Sequence, residues 1–217
     1  MPLEDEIRAY LPRFLSAESD KELFESLKQF PDNIDCRIYT DRLLFEELLF
    51  QGDGLRDLLV INLPDRNVMP APGMILSNTC DVDLNNQRAF FPPRLVYAPI
   101  FNLEKYRRAL LEETAGLAEE EVKKTKIQAI DSHIGCIREQ KVTQVFYLPK
   151  LPGRLEESIV FLDRICNCDN AGVSRENIQT KRLFTLSDYG AYLFLIKLSI
   201  HFTRIKDKVD RGSIKML

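Results

Sequence analysis

The sequence predicts a single α+β domain, built as an antiparallel β-barrel or strongly bent sheet with helices before, within and after it. The 217 residues are 45% hydrophobic, which is enough to bury one large core. Short runs rich in β-branched and aromatic residues alternate with turn residues along the middle of the chain. Stretches with apolar residues at helical spacing stand near both ends and between two of these runs.

The N-terminal residues 1–35 are expected to form a helical extension of two short helices. In the second helix, apolar residues recur at helical spacing over residues 23–30, and Pro31 ends the pattern. Its apolar face predicts that this helix packs on the rest of the chain.

The barrel core is assigned to residues 36–102 and 141–217. Its predicted strands are residues 36–39, 58–63, 74–76, 94–100, 142–148, 158–163 and 181–185. The stretch 43–50 is either helical or extended, and Gly52 and Gly54 mark a turn after it. The polar residues 77–86 separate two strands, and we expect this loop to lie at the end of the sheet, where scaffolds usually present functional groups.

Two further helical regions interrupt and close this core. Residues 103–140 predict an inserted helical hairpin, with Gly116 between its halves and Glu119 paired with Lys123 at i,i+4. A long C-terminal helix is expected from Ser187 to about residue 210, nearly all apolar in its middle and therefore buried over most of its girth.

Composition favours a cytoplasmic protein without a disulfide framework. The formal net charge of -3 provides no global basic field toward nucleic acid or an acidic membrane. Glu4, Asp5 and Glu6 stand where a signal peptide carries positive charge, and no run of about 18 apolar residues predicts a membrane span. The cysteines number five, with irregular spacing, as in a reducing compartment. We expect no cofactor and no membrane partner.

The densest polar segment, residues 77–83, supplies the candidate catalytic residues Ser77, Cys80, Asp81 and Asp83. Polar groups at the end of a buried strand could orient a phosphate, a metal or a nucleophile, since the strand fixes their directions. The alternative is a local turn in which these side chains satisfy loose backbone groups and Cys80 lies in the core.

Two further chemistries depend on the cysteines and histidines. A Cys80 nucleophile would need a histidine base, and the chain has only His133 and His201. The neighbouring charge of Asp81 disfavours a thiolate at Cys80. His133 and Cys136 could form a zinc site if they met Cys166 and Cys168 in space; otherwise, these residues fill the core or end a helix.

A basic stripe on the final helix supplies the candidate nucleic-acid-binding residues. At about 100° per residue, its members fall within a band about 80° wide. They are Lys197, His201, Arg204, Lys208 and Arg211. Arg88 lies close to the polar segment and joins them as a candidate. Such a stripe could hold a phosphate backbone, or it could be a solvated helix face.

The order of these elements resembles the PemK/MazF-like growth-inhibitor family. The resemblance rests on Gly52-Asp53, Leu58-Leu-Val-Ile-Asn-Leu63, Met74-Ile-Leu-Ser77-Asn78, Arg94-Leu-Val-Tyr-Ala-Pro-Ile100 and Ser158-Ile-Val-Phe-Leu-Asp163. It implies an SH3-like barrel of the kind found in bacterial endoribonuclease toxins, which are held by antitoxins. The family's catalytic arginine is not matched, because Met69-Pro-Ala-Pro-Gly73 carries no basic residue.

Two functional hypotheses follow. The first is a bacterial nucleic-acid-linked protein of the toxin-antitoxin or phage-defence type. In it, Asp81 or Asp83 would act as base or metal ligand, and Arg88 or Arg204 would stabilise charge developing at an RNA phosphate. The second is a non-catalytic module that binds a partner protein, or a second copy of itself, through its helical additions.

Overall fold

The computed structural model of this chain describes residues 17–86, 90–114 and 120–203. Its helices are α1 (Ala17–Lys28), α2 (Thr79–Val82), α3 (Leu103–Glu112), α4 (Glu120–Arg138), α5 (Ile178–Lys181) and α6 (Asp188–Thr203). Its strands are β1 (Tyr39–Thr40), β2 (Gly54–Ile61), β3 (Val68–Ile75), β4 (Arg94–Asn102), β5 (Val145–Leu148), β6 (Ser158–Phe161), β7 (Cys166–Asp169) and β8 (Arg182–Leu186). The mixed helix and strand content confirms the predicted α+β class.

The strands form one antiparallel sheet of eight strands, which is open. Its order is β1-β8-β2-β3-β4-β6-β5, and β7 pairs with β4 beside this path. The expected closed barrel is therefore not confirmed. Helices lie at both ends of the order, since α4 contacts β5, and α6 contacts the 3-10 turn Cys36–Ile38 just before β1.

Strand β4 organises the sheet because it has partners along both of its edges. On one edge it pairs with β3, and on the other it pairs first with β7 and then with β6. The prediction missed β7, whose sequence Cys-Asn-Cys-Asp lacks a run of β-branched or aromatic residues. This short strand places Asn167 opposite Val96, near the start of β4.

The predicted helices are confirmed where the structure describes them. Helix α1 matches the second N-terminal helix, whereas the first falls on residues outside the described ranges. The inserted hairpin is formed by α3 and α4, joined by an ion pair of 2.8 Å between Arg107 Nη2 and Asp131 Oδ1. At the start of α6, the Ser187 hydroxyl accepts a hydrogen bond from the Gly190 amide at 3.2 Å, as the predicted cap requires. The expected continuation to residue 210 lies outside the described ranges.

Gly190 lets α6 approach the backbone of the Cys36–Ile38 turn. A Cβ atom at this position would lie 2.1 Å from the carbonyl oxygen of Ile38. The Ser187 amide donates to the same carbonyl at 2.8 Å. A backbone atom cannot swing aside as a side chain can, so the close packing of α6 depends on glycine here.

Three hydrophobic clusters form the core. The largest gathers α6, β8 and the middle of β4, the second lies between β2 and β7, and the third lies between the α3–α4 hairpin and the pair β5–β6. Outside them, the outer half of the β2–β3 hairpin exposes several apolar residues. They are Leu59, Ile61, Val68 and Met69. In this half, β3 pairs only with β2, and it carries Pro70 and Pro72.

None of the helices in the described ranges combines the length and the apolar character that crossing a bilayer requires.

Candidate functional site: a groove beside the polar segment

The polar segment 77–83 forms an N-capped helical turn. Asn78 caps α2, because its Oδ1 accepts a hydrogen bond from the Cys80 amide at 2.9 Å. Thr79 Oγ1 accepts from the Gln51 amide at 3.0 Å, and Asp83 Oδ1 accepts from the Asn85 amide at 2.9 Å. Asn78 and Asp83 therefore make the hydrogen bonds of a local turn, whereas Thr79 binds the backbone of the loop before β2. Cys80 is exposed, however, and does not lie in the core.

Ser77 joins this turn to strand β4. Its hydroxyl oxygen accepts from the Val96 amide at 2.7 Å and donates to the Arg94 carbonyl at 3.2 Å. The hydroxyl thus takes the place of a backbone hydrogen bond to β4, at the point where β3 has ended. A serine with both roles occupied holds the turn in place and is poorly placed to act as a nucleophile.

A groove of about 470 Å³ lies beside Ser77, and we call it the aromatic groove. Its lining comes from the end of β3, α2, the approach to β4, and α6. The lining residues are Leu76, Ser77, Asp81, Phe91, Pro92, Pro93, Arg94, Val96, Ile165, Leu198 and Phe202. Phe91 is 77% exposed and Phe202 is 58% exposed, so two aromatic rings present their surfaces to solvent here. Of the predicted catalytic residues, Ser77 and Asp81 line this groove, whereas Cys80 and Asp83 do not.

Arg94 supplies a positive charge to the aromatic groove. It is exposed, and its Nε donates to Asn167 Oδ1 at 2.8 Å. Because Asn167 stands on β7, the strand that the sequence reading missed orients the guanidinium. Asp81 lines the same groove, so the described lining carries one charge of each sign.

The catalytic-cysteine arrangement does not assemble in the described part of the chain. The Cys80 thiol makes no hydrogen bond with either histidine there. His133 Nε2 lies 3.1 Å from the Tyr106 hydroxyl on the α3–α4 hairpin, and the His201 ring packs edge-on against Phe202. The histidines therefore take part in packing on separate elements.

The proposed zinc ligands also lie apart. His133 and Cys136 are on α4, in the hairpin, whereas Cys166 and Cys168 are on β7 and pack in or against the second core cluster. Within the described ranges, no three His, Cys, Asp or Glu residues are grouped as metal ligands.

The members of the basic stripe have unequal surroundings. Lys197 is 8% exposed, and its Nζ donates to the carbonyls of Gln140 and Val142, each at 2.6 Å. These bonds hold its ammonium against the protein, so Lys197 does not project from the helix surface toward a phosphate backbone. His201 is half-buried beside the aromatic groove residue Phe202. Arg88, Arg204 and Lys208 lie outside the described residues.

The sequence reading missed the main buried ion pair, between Arg182 and Asp53. Arg182 Nε donates to Asp53 Oδ2 at 3.1 Å, and both side chains are fully buried. Burial raises the pKa of the Asp53 carboxyl, and the Arg182 guanidinium opposes that shift. The sequence feature that could have indicated this ion pair is Asp53, a charged residue between two glycines in a turn.

The aromatic groove was also missed, although Phe90-Phe91-Pro92-Pro93 places bulky residues in a loop.

Comparison with models of known protein families and with curated proteins finds no match to this chain. The relationship to PemK/MazF-like proteins therefore remains a prediction from the sequence.

Proposed function

We propose that this chain is a non-catalytic interaction module that binds an extended peptide segment of a partner protein in the aromatic groove. The observation that carries the proposal is the groove's lining. Phe91 and Phe202 offer exposed aromatic surface, and Ser77, Asp81 and Arg94 add a few polar groups. Apolar walls with a small number of placed polar groups are typical of ligand sites, and aromatic and arginine side chains dominate binding energy at protein interfaces.

The hydrogen bonds of segment 77–83 support binding over catalysis. Side-chain oxygens hold this turn in place: Ser77 binds β4, Thr79 binds the loop before β2, and Asn78 and Asp83 bind the turn itself. These bonds fix one wall of the groove before any ligand arrives. A preorganised wall lowers the entropic cost of binding.

Charge favours a peptide over a nucleic acid as the ligand. Nucleic-acid backbones are bound mainly through several Lys and Arg contacts to phosphates. The described lining of the aromatic groove has Arg94 as its cation and Asp81 as its anion. The family resemblance agrees with a protein partner, since PemK/MazF-like toxins are held by antitoxins. We expect the partner to belong to a toxin-antitoxin or phage-defence system.

A peptide library displayed on phage tests this proposal. Peptides selected on the wild-type protein would be synthesised with a fluorophore and titrated by anisotropy against wild type, Phe91→Ser, Phe202→Ser and Arg94→Ala. We expect each substitution to weaken binding by about tenfold or more, as loss of a central interface residue does.

Phe45→Ser is the matched control for this experiment. Phe45 is 79% exposed, as Phe91 nearly is, but it does not line the aromatic groove. Its substitution should leave peptide affinity unchanged. Peptides that bind all four variants equally, or a selection that enriches no sequence, would contradict the proposal.

Single-stranded RNA is a second candidate ligand, favoured by the two exposed rings beside a guanidinium. Bases stack on aromatic side chains without sequence preference, and arginine adds to such stacking. In this reading, the predicted stripe of His201, Arg204 and Lys208 and the loop residue Arg88 would contact phosphates. Asp81 or Asp83 would then act as base or metal ligand in an RNA-cleaving reaction.

Anisotropy with labelled oligouridine and a matched DNA at several salt concentrations separates the two candidates. Binding to RNA that weakens steeply with salt and falls in both Phe91→Ser and Arg204→Ala/Lys208→Ala would favour RNA. It would justify a cleavage assay with Asp81→Asn. Absence of binding at low salt would exclude RNA and leave the peptide proposal intact.

A further inference from the structure

A second cavity, of about 370 Å³, lies between α1 and α6, away from the aromatic groove. We call it the lysine cavity. Its walls are apolar or aromatic side chains from α1, the residues just after α1, and α6. They are Leu27, Phe30, Tyr192, Leu193, Ile196 and Ile200. Lys197 and Gln140 complete the lining, and none of these residues lines the aromatic groove.

Lys197 is the only described cation in this lining, and it has no acidic partner within the described ranges. Its Nζ donates to the carbonyls of Gln140 and Val142, each at 2.6 Å. An ammonium has three N–H donors, so these two bonds leave one donor available for another acceptor. Burial lowers the pKa of Lys197 to about 8, and no neighbouring carboxylate opposes this shift.

This combination of groups fits a specific class of ligand. A buried charge without a counter-ion is costly, and an anionic group beside it offsets that cost. Apart from the Tyr192 hydroxyl, and Gln140, whose amide already bonds the Tyr147 backbone, the walls are apolar, which favours a ligand whose remaining atoms are mostly apolar. The volume, about 370 Å³, is of the size that suits a small molecule.

We propose that the lysine cavity binds a small amphiphilic carboxylate, such as a medium-chain fatty acid. The carboxylate accepts a hydrogen bond from the third N–H of Lys197, and the hydrocarbon chain lies against Phe30, Ile196 and Ile200. This site is separate from the proposed peptide groove, so either proposal can fail without the other.

Calorimetric titration of the full chain with decanoate tests the proposal, with decanol as a neutral ligand of the same chain length. We expect decanoate to bind at least about tenfold more tightly than decanol, because only the acid pairs with Lys197. In Lys197→Met, decanoate should lose at least about tenfold in affinity while decanol keeps its affinity or gains. Equal binding of both ligands to wild type, or no binding of decanoate, would overturn the proposal.

A pair of α6 variants guards against a Lys197 variant that does not fold. Ile200→Asp introduces a negative charge into the wall, whereas Leu195→Asp introduces it on the same helix outside the cavity; the two residues are 46% and 41% exposed. The first should abolish decanoate binding and the second should preserve it. A different result would be that wild type is a dimer, that Ile200→Asp dissociates it, and that decanoate does not bind. In that case a second copy of the chain covers this face, and the proposal fails.

Discussion

Arg182 and Lys197 are both buried cations, but the fold provides them with very different sets of hydrogen-bond acceptors. Arg182 reaches five acceptor groups: the Asp53 carboxylate and the carbonyls of Leu43, Leu44, Glu46 and Leu48. Lys197 reaches two carbonyls and no carboxylate within the described ranges. The chain supplies the full set of partners for the arginine, which therefore has a structural role. Around Lys197, the chain leaves a charge without a carboxylate partner beside an apolar cavity. In our proposal, the carboxylate of a ligand pairs with this charge.

Replacement of Arg182 should give the largest effect on stability. Arg182→Met leaves Asp53 buried without its partner and removes the donors that hold the loop carbonyls of residues 43–48. We expect the free energy of unfolding to fall by about 3–5 kcal/mol, the range found when one partner of a buried ion pair is removed. Urea denaturation followed by circular dichroism measures this loss. A fall below about 1 kcal/mol would break the comparison, because Arg182 would then be no more structural than Lys197.

Replacement of Lys197 should cost much less. Lys197→Met removes two hydrogen bonds but also removes a buried charge, and methionine fills a similar volume. We expect the free energy of unfolding to fall by about 1 kcal/mol, because removal of a buried charge offsets part of the loss of the two hydrogen bonds. The same urea experiment measures it. A loss as large as that of Arg182→Met would identify Lys197 as a purely structural residue.

The two cations should also differ in their response to pH. The pKa of Lys197 is about 8 in the folded chain, against its ordinary value of 10.5. Between these values the unfolded chain binds the proton that the native chain has lost, so this residue raises stability as pH increases. The stability of wild type relative to Lys197→Met should therefore increase from about pH 8 to 10.5. The stability of wild type relative to Arg182→Met should show no comparable rise, because a guanidinium stays protonated throughout. Matched urea titrations at each pH provide the test. A difference in unfolding free energy between wild type and Lys197→Met that does not change with pH would contradict the prediction.

Arg94, an exposed cation, provides the smallest expected effect on stability. Its side chain contacts Asn167 at the surface and holds no buried group. Arg94→Ala should change the free energy of unfolding by no more than about 0.5 kcal/mol, as is usual for surface positions. A thermal melt would detect a larger loss, which would mean that the β4–β7 pairing depends on this contact.

The sequence predicted the elements whose signal is local. Strand β4 could be predicted from its run of apolar residues, and α6 could be predicted from Ser187 as a cap before an apolar stretch. The shape of the loop over residues 43–50 could not be predicted, because Arg182 determines it from far along the chain. The placement of Lys197 was missed for a related reason. Helical spacing put it on one stripe with His201, but spacing alone does not show which side of a largely buried helix faces the core.

At the candidate site, the sequence predicted one part of the groove lining but not the other. The density of polar residues located segment 77–83, and Ser77 and Asp81 do line a groove. The other half of that groove comes from Phe91 and Phe202, which are distant in sequence and carry no polar signal. Only the pairing of β4 and the direction of α6 bring them to Ser77.

The outer half of the β2–β3 hairpin has a consequence for self-association. Its apolar residues are exposed, and an open strand edge with such residues is a template for strand addition and aggregation. Pro70 and Pro72 lack N–H groups, and prolines are tolerated in a sheet where that side of the strand faces away from the ladder. The free edge of β3 therefore cannot offer a continuous row of donors to an incoming strand. Another molecule can touch this hairpin through side chains, but it cannot form a continuous strand pairing along this edge of β3.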